Sequence, residues 1–125
     1  MTYESPFPVL NDPKVIEVGG ELEISVVRCN NGDVSVTDII SLHFQGVEPD
    51  GEGGWVVIEG LVTTPKVFAA RQFEPGCKDD IFTDPLPEEV TPGHWKEVGS
   101  TTVIDNGHSQ VVRWESEVFG VVDAD

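Results

Sequence analysis

Helical periodicity is missing from this chain: no window of eleven residues keeps apolar groups at i, i+3, i+4 and i+7 without a Pro, Gly or β-branched cluster interrupting it. Strand patterns recur instead. From Glu21 to Val26, apolar Leu22, Ile24 and Val26 alternate with Glu21, Glu23 and Ser25, the mark of a half-buried strand. Val15 to Val18 reads as a shorter strand ended by Gly19-Gly20, after an arm, residues 1–13, that carries Pro6, Pro8 and Pro13. Prolines of that kind suit a sheet edge. Past the turn cluster Asn30-Asn31-Gly32-Asp33, Val34 to Phe44 is a predicted strand with a bulge, and Trp55 to Val62 a strongly apolar one. The loop Glu48 to Gly54 should make the pair a hairpin. Val67 to Phe73 reads as a return strand. Cys77 to Pro92 holds five acids and three prolines, which predicts a long surface loop. His94 to Val98 is a short strand, and Thr101 to Ile104 and Ser109 to Glu115 flank Asn106-Gly107, the pair that a type I′ hairpin turn prefers. Val118 to Val122 closes the series before a frayed tail, residues 123–125.

About seven to nine short strands spaced roughly ten residues apart, with no helical crossovers, predict an all-β fold. The expected form is an antiparallel β-sandwich of immunoglobulin-like architecture, with a small β-barrel as the alternative. A chain of 125 residues suits one such domain. The likeness is architectural only. An immunoglobulin domain sets one cysteine on each of two facing strands with a tryptophan between them. Cys29, however, has the parity of Glu21 and Glu23, so its side chain leaves the core unless a bulge intervenes near Val27-Arg28. Trp55 follows it by 26 residues, after an entire loop.

Charge narrows the partners. Twenty-three acidic residues face seven basic ones, a formal net charge of −16, which disfavours nucleic acid and anionic lipid surfaces. Imitation of DNA is also disfavoured, because Lys14, Arg28, Lys66, Arg71, Lys78, Lys96 and Arg113 are spread along the whole chain and break up any acidic face. No apolar run approaches the roughly 18 residues that would span a bilayer, and Met1 to Pro6 lacks the basic start of a secretory leader, so a soluble protein is expected. The compartment is left open.

Candidate sites are few. Cys29 and Cys77 allow one disulfide or two buried thiols, and neither lies in a CxxC pair or beside a histidine. His43, His94 and His108 lack metal-ligand spacing; the plain reading is one strand histidine and two surface ones. Asp50 and Glu52, and Asp79, Asp80 and Asp84, are loop carboxylates of the kind that hold Ca2+, the one cofactor considered, though neither group matches an EF-hand. No GxSxG, HExxH or Gly-rich phosphate loop is present, and no pair stands out among so many carboxylates as acid and base. Trp55, Trp95 and Trp114 are candidates for an aromatic binding platform, although core positions are the commoner use.

The expected function is therefore a noncatalytic acidic module for macromolecular binding or assembly, as in a surface, appendage or virion component. Its expected partner is another protein, one of basic character included, or a neutral glycan. The rivals are an acidic inhibitor of a basic or nucleic-acid-binding protein, and a small barrel enzyme or ligand carrier.

Overall fold

The structure, a computed structural model, describes residues 3–4, 10–12 and 14–124, and within them the side chains of Tyr3, Glu4, Leu10, Asn11, Asp12, Val26, Asp80 and Phe82 are left out. Pro6, Pro8, Pro13 and Asp125 thus lie outside the described residues. In chain order the strands are β1 (Tyr3–Glu4), β2 (Leu10–Asp12), β3 (Val15–Glu17), β4 (Glu21–Asn30), β5 (Val36–Pro49), β6 (Trp55–Val62), β7 (Lys66–Val67), β8 (Arg71–Phe73), β9 (Gly76–Pro85), β10 (Gly93–Asp105), β11 (His108–Glu115) and β12 (Phe119–Val122). No helix occurs among the described residues.

Two sheets result. In the first, β4 is central, with β9 antiparallel along one edge and the short β1 and β2 along the other. In the second, β5 and β10 are the long central pair, in continuous register from Thr37↔Ile104 to Val47↔His94. Beyond β10 lie β11 and β12, and beyond β5 lie β6, β7 and β8. β3 pairs with β12 in parallel, so the otherwise antiparallel sandwich is mixed. Neither sheet closes into a barrel among the described residues.

The inner faces follow from the two-residue period of strands. On β5, Val36, Asp38, Ile40, Leu42 and Phe44 are buried, and on β10, Trp95, Glu97, Gly99, Thr101 and Val103. Leu22 and Ile24 of β4 meet Ile40, Leu42, Phe44, Trp95, Trp114 and Phe119 in the main core. Phe44 and Phe119 pack edge to face, with centroids 6.0 Å apart. Gly99 lies directly opposite Trp114 on β11, and a Cβ there would collide with the indole. A smaller cluster of Val36, Phe73 and Val103 occupies the other end of the interior.

Several expectations change. Cys77 to Pro92 is not one surface loop: its first half is β9, paired residue for residue with β4. The acids and prolines there resemble a loop, but β4 offers a ten-residue edge whose backbone groups need partners, and that pairing overrides weak local preference. His94 to Ile104 forms a single strand rather than two, because β5 backs it throughout. Val67 to Phe73 yields only β7 and β8, with Phe68 bonding back to Ile40 between them. The Asn106-Gly107 turn is as expected, with φ of 48° and 81° at its two centres.

Candidate functional site

Each charged group inside the sandwich needs a partner or a shifted pKa to be there. Arg28 keeps the parity of Leu22 and Ile24 and therefore points inward, where it pairs with Asp38 of β5. Asp38 is fully buried and also accepts from Arg71 at 3.2 Å. The Arg28 guanidinium stacks 4.5 Å from the Phe73 ring centre. The charges of this group pair with one another inside the sandwich.

Glu97 is different. It is fully buried on β10, and neither carboxylate oxygen has a hydrogen-bond partner, nor does the hydroxyl of Thr101 four residues along the same face. Burial first, and then the charge of Asp84, push its pKa up to about 8. Asp84, on the inner face of β9, is buried and receives a hydrogen bond from the Lys66 ammonium at 2.7 Å. Beside that ion pair lies a cavity of about 260 Å³ lined by Leu42, Phe44, Thr63, Lys66, Asp84 and Leu86, among others. Glu97 is not among the lining residues, so the two carboxylates do not face one opening.

The third region is the free edge of the second sheet. β6 pairs only with β5 among the described strands. It is apolar yet exposed: Trp55 is 45%, Val56 46%, Val57 49% and Val62 45% accessible. The Trp55 indole rests against the His94 ring, centroids 4.8 Å apart. Partway along, the register shifts between Gln45 and Val47, so that residues 58–61 bulge out of the ladder. Gly60 takes φ +84° there, and the Gln45 amide donates to the carbonyls of Gly46, Ile58 and Leu61. Leu61 folds back onto Gly46, where no side chain stands in its way.

Acids surround this edge. Asp50 accepts from the backbone N–H groups of Glu52 and Gly54, which fixes the loop before Trp55 and lowers the Asp50 pKa below its ordinary 3.8. Glu48 and Glu52 are exposed at the same end. Glu59 is exposed in the bulge, and Glu89 accepts from Thr64 just past the strand's end. From Gln45 to Pro65 there is no Lys or Arg.

The sequence-predicted residues thus separate. Of the three tryptophans, Trp95 and Trp114 are core, at 1% and 9% accessibility, so no aromatic platform forms and Trp55 stands as the exposed one. Trp95 donates its indole N–H to the Thr91 carbonyl, as a buried indole requires. Asp79 and Asp84 are not neighbours in a loop but point to opposite faces of β9, one exposed and one buried; the Asp80 side chain lies outside the described residues. Asp50 and Glu52 share the 48–54 loop. Among the described residues, no three His, Cys, Asp or Glu side chains converge as a metal site. His43 pairs with Val98 and His94 with Val47, which sets them well apart along one ladder, and His108 sits at the far hairpin.

Cys29 and Cys77 are directly opposite on β4 and β9 and form a disulfide within one sheet. It is not the intersheet bridge of an immunoglobulin domain. β4 and β9 stay in register past Val27 and Arg28, so Cys29 keeps the parity opposite to Leu22 and Ile24, yet it is buried, at 4% accessibility.

Sequence reasoning missed Glu97 and the exposure of Val56 and Val57. The signal for Glu97 was its shared parity with Trp95 on an expected strand. For β6, an unbroken apolar run reads as burial, and only the sheet order reveals an edge.

No protein-family model matches the chain, and no curated protein matches it. Solved structures do. The C-terminal domain of wzt superposes with a TM-score of 0.57 at 9% identity, over 98% of this chain and 71% of that one. Spo0M, the sporulation control protein from Bacillus subtilis, gives 0.51 at 15% identity over 99% of this chain. A cycloisomaltooligosaccharide glucanotransferase from Paenibacillus sp., complexed with cycloisomaltoheptaose, gives 0.52 at 16% over 79%. The chain spans 49% of Spo0M and 13% of the glucanotransferase. At such identities the likeness establishes the sandwich fold and nothing about activity.

Proposed function

We propose that this domain is a noncatalytic module that binds another protein through the edge and outer surface of β6. One observation carries the reading: on a strand of eight residues, the apolar side chains of Trp55 and Val57, which share one face, and of Val56 on the other stand nearly half accessible. Contiguous apolar surface of this kind, rimmed by polar groups, marks interaction sites, whereas scattered exposed apolar residues do not. Catalysis lacks comparable support, since the most perturbed carboxyl, Glu97, is sealed from solvent. The net charge of −16 favours a basic partner and rapid association at low salt.

The test compares immobilised wild type with the double variant Trp55→Ala, Val57→Asn, both confirmed folded, in recovery of partners from a cell extract. Retention by the wild type and loss by the variant is the expected outcome. Equal retention, abolished for both by 0.5 M salt, would instead favour the acidic-inhibitor reading, in which charge alone recruits the partner.

A further inference from the structure

We infer that the occupant of β6 is a short extended segment, apolar at its centre and flanked by Lys or Arg, that adds to the second sheet as a further strand. The inference rests on the reading of β6 as the binding surface and specifies what that surface takes.

Backbone geometry supplies the first argument. The Asp50 N–H donates to the Gly54 carbonyl at 3.1 Å, one of the two bonds of a hydrogen-bonded antiparallel pair, while the Gly54 N–H turns to the Asp50 carboxylate; this sets the phase of the ladder. Such pairs alternate with non-bonded ones along a ladder. In the observed register, Glu48↔Val56 is then bonded, while Pro49↔Trp55 and Val47↔Val57 are not. Trp55 and Val57 therefore turn their N–H and C=O groups away from β5, toward the open edge. Two donors and two acceptors in that spacing match one incoming strand. Pro49, which has no N–H to give, sits opposite a residue that does not need it. Past Val57 the bulge carries the chain out of the ladder, so the docking edge is only a few residues long.

Charge supplies the second argument and selects the occupant. Between Gln45 and Pro65 lie Glu48, Asp50, Glu52 and Glu59 with no basic residue, and Glu89 adds a carboxylate beyond Thr64. A second copy of the chain pairing at this edge would bring the same acids against these, which opposes self-association. A segment with basic flanks gains from both ends of the edge, while its apolar centre covers Trp55 and Val57.

The probe is an acetylated and amidated peptide, Lys-Lys-Val-Thr-Val-Thr-Val-Lys-Lys, titrated into the isotope-labelled domain and followed by amide NMR and tryptophan emission. Three analogues accompany it: one N-methylated at its valines, one at its threonines, and one with Glu for every Lys. Only alternate amides of an added strand face the sheet, so one N-methylated form should lose binding at least roughly tenfold and the other should keep it. The Trp55 and Val57 amides should shift most, the Glu peptide should fail to bind, and affinity should fall roughly tenfold between 0.05 and 0.5 M salt.

No binding of the Lys peptide at 1 mM overturns the inference while leaving the extract experiment to decide the module reading. Binding that both N-methylated forms retain overturns strand addition yet supports a protein-binding β6. A domain that sediments as a dimer, and becomes monomeric with Trp55→Ala, makes a second copy the occupant and overturns the basic segment.

Discussion

A carboxyl group sealed inside a sandwich without a hydrogen-bond partner keeps its proton to far higher pH than one in water, and Glu97 is such a group. Its folded pKa of about 8 lies above the 4.5 of an exposed glutamate, so between those values the folded state holds a proton that the unfolded chain releases. Stability from this residue is fully present below pH 4.5 and is lost as pH rises toward 8, at about 1.4 kcal/mol per pH unit at most. Glu97→Gln should therefore flatten the fall in urea midpoint between pH 5 and 8 and make the protein the more stable of the two at pH 8, by roughly 2–3 kcal/mol. A wild-type midpoint that rises over that range, or a slope the substitution leaves alone, would show that Glu97 is not the group responsible. Gly99 gives a second residue-scale expectation. Because the Trp114 ring occupies the space beside it, Gly99→Ala should cost about 1–3 kcal/mol by overpacking, with a blue-to-red change in Trp114 emission as the ring moves toward water.

At the scale of elements, the Cys29–Cys77 bridge ties β4 to β9, closing a loop with a sequence separation of 48. The chain-entropy model assigns such a loop about 4 kcal/mol, so reduction should lower the denaturation midpoint and expose β9 amides to exchange ahead of those of β5 and β10. Equal exchange of all four long strands after reduction would count against β9 as the dependent one. That dependence also explains what could be read from the amino acids. The alternation at Glu21 to Val26 and the Asn106-Gly107 turn were legible because a strand face and a positive φ are encoded locally. β9 was not legible, since Lys78, Asp79, Asp80, Asp84 and Pro85 favour a loop, and only the unpaired edge of β4 makes them a strand. Nor was the site. Val56 and Val57 look like core and are exposed, while which of Trp55, Trp95 and Trp114 takes the commoner core position is decided by sheet order, which no local pattern records.

For the whole molecule, the net charge of −16 has a consequence apart from any partner. Among the described residues, Lys14 pairs with Glu117, Arg28 and Arg71 with Asp38, Lys66 with Asp84, and Lys96 with Glu115. Little basic charge is left to offset the other acids, and their mutual repulsion is smaller in an expanded chain than in a folded one. Two effects of salt then compete. Screening weakens exposed pairs such as Lys14–Glu117, which are each worth only about 0–1 kcal/mol, but it leaves the buried Arg28–Asp38 contact largely untouched. It also relieves the repulsion spread over the entire surface, which is the larger sum here. Raising NaCl from 0.02 to 0.5 M at pH 7 should accordingly increase the thermal midpoint, and KCl should match it, because screening depends on ionic strength rather than on the cation. A lower midpoint in salt would mean that the surface pairs outweigh the repulsion. A rise with NaCl that KCl fails to reproduce would mean that a specific cation site, not screening, is responsible.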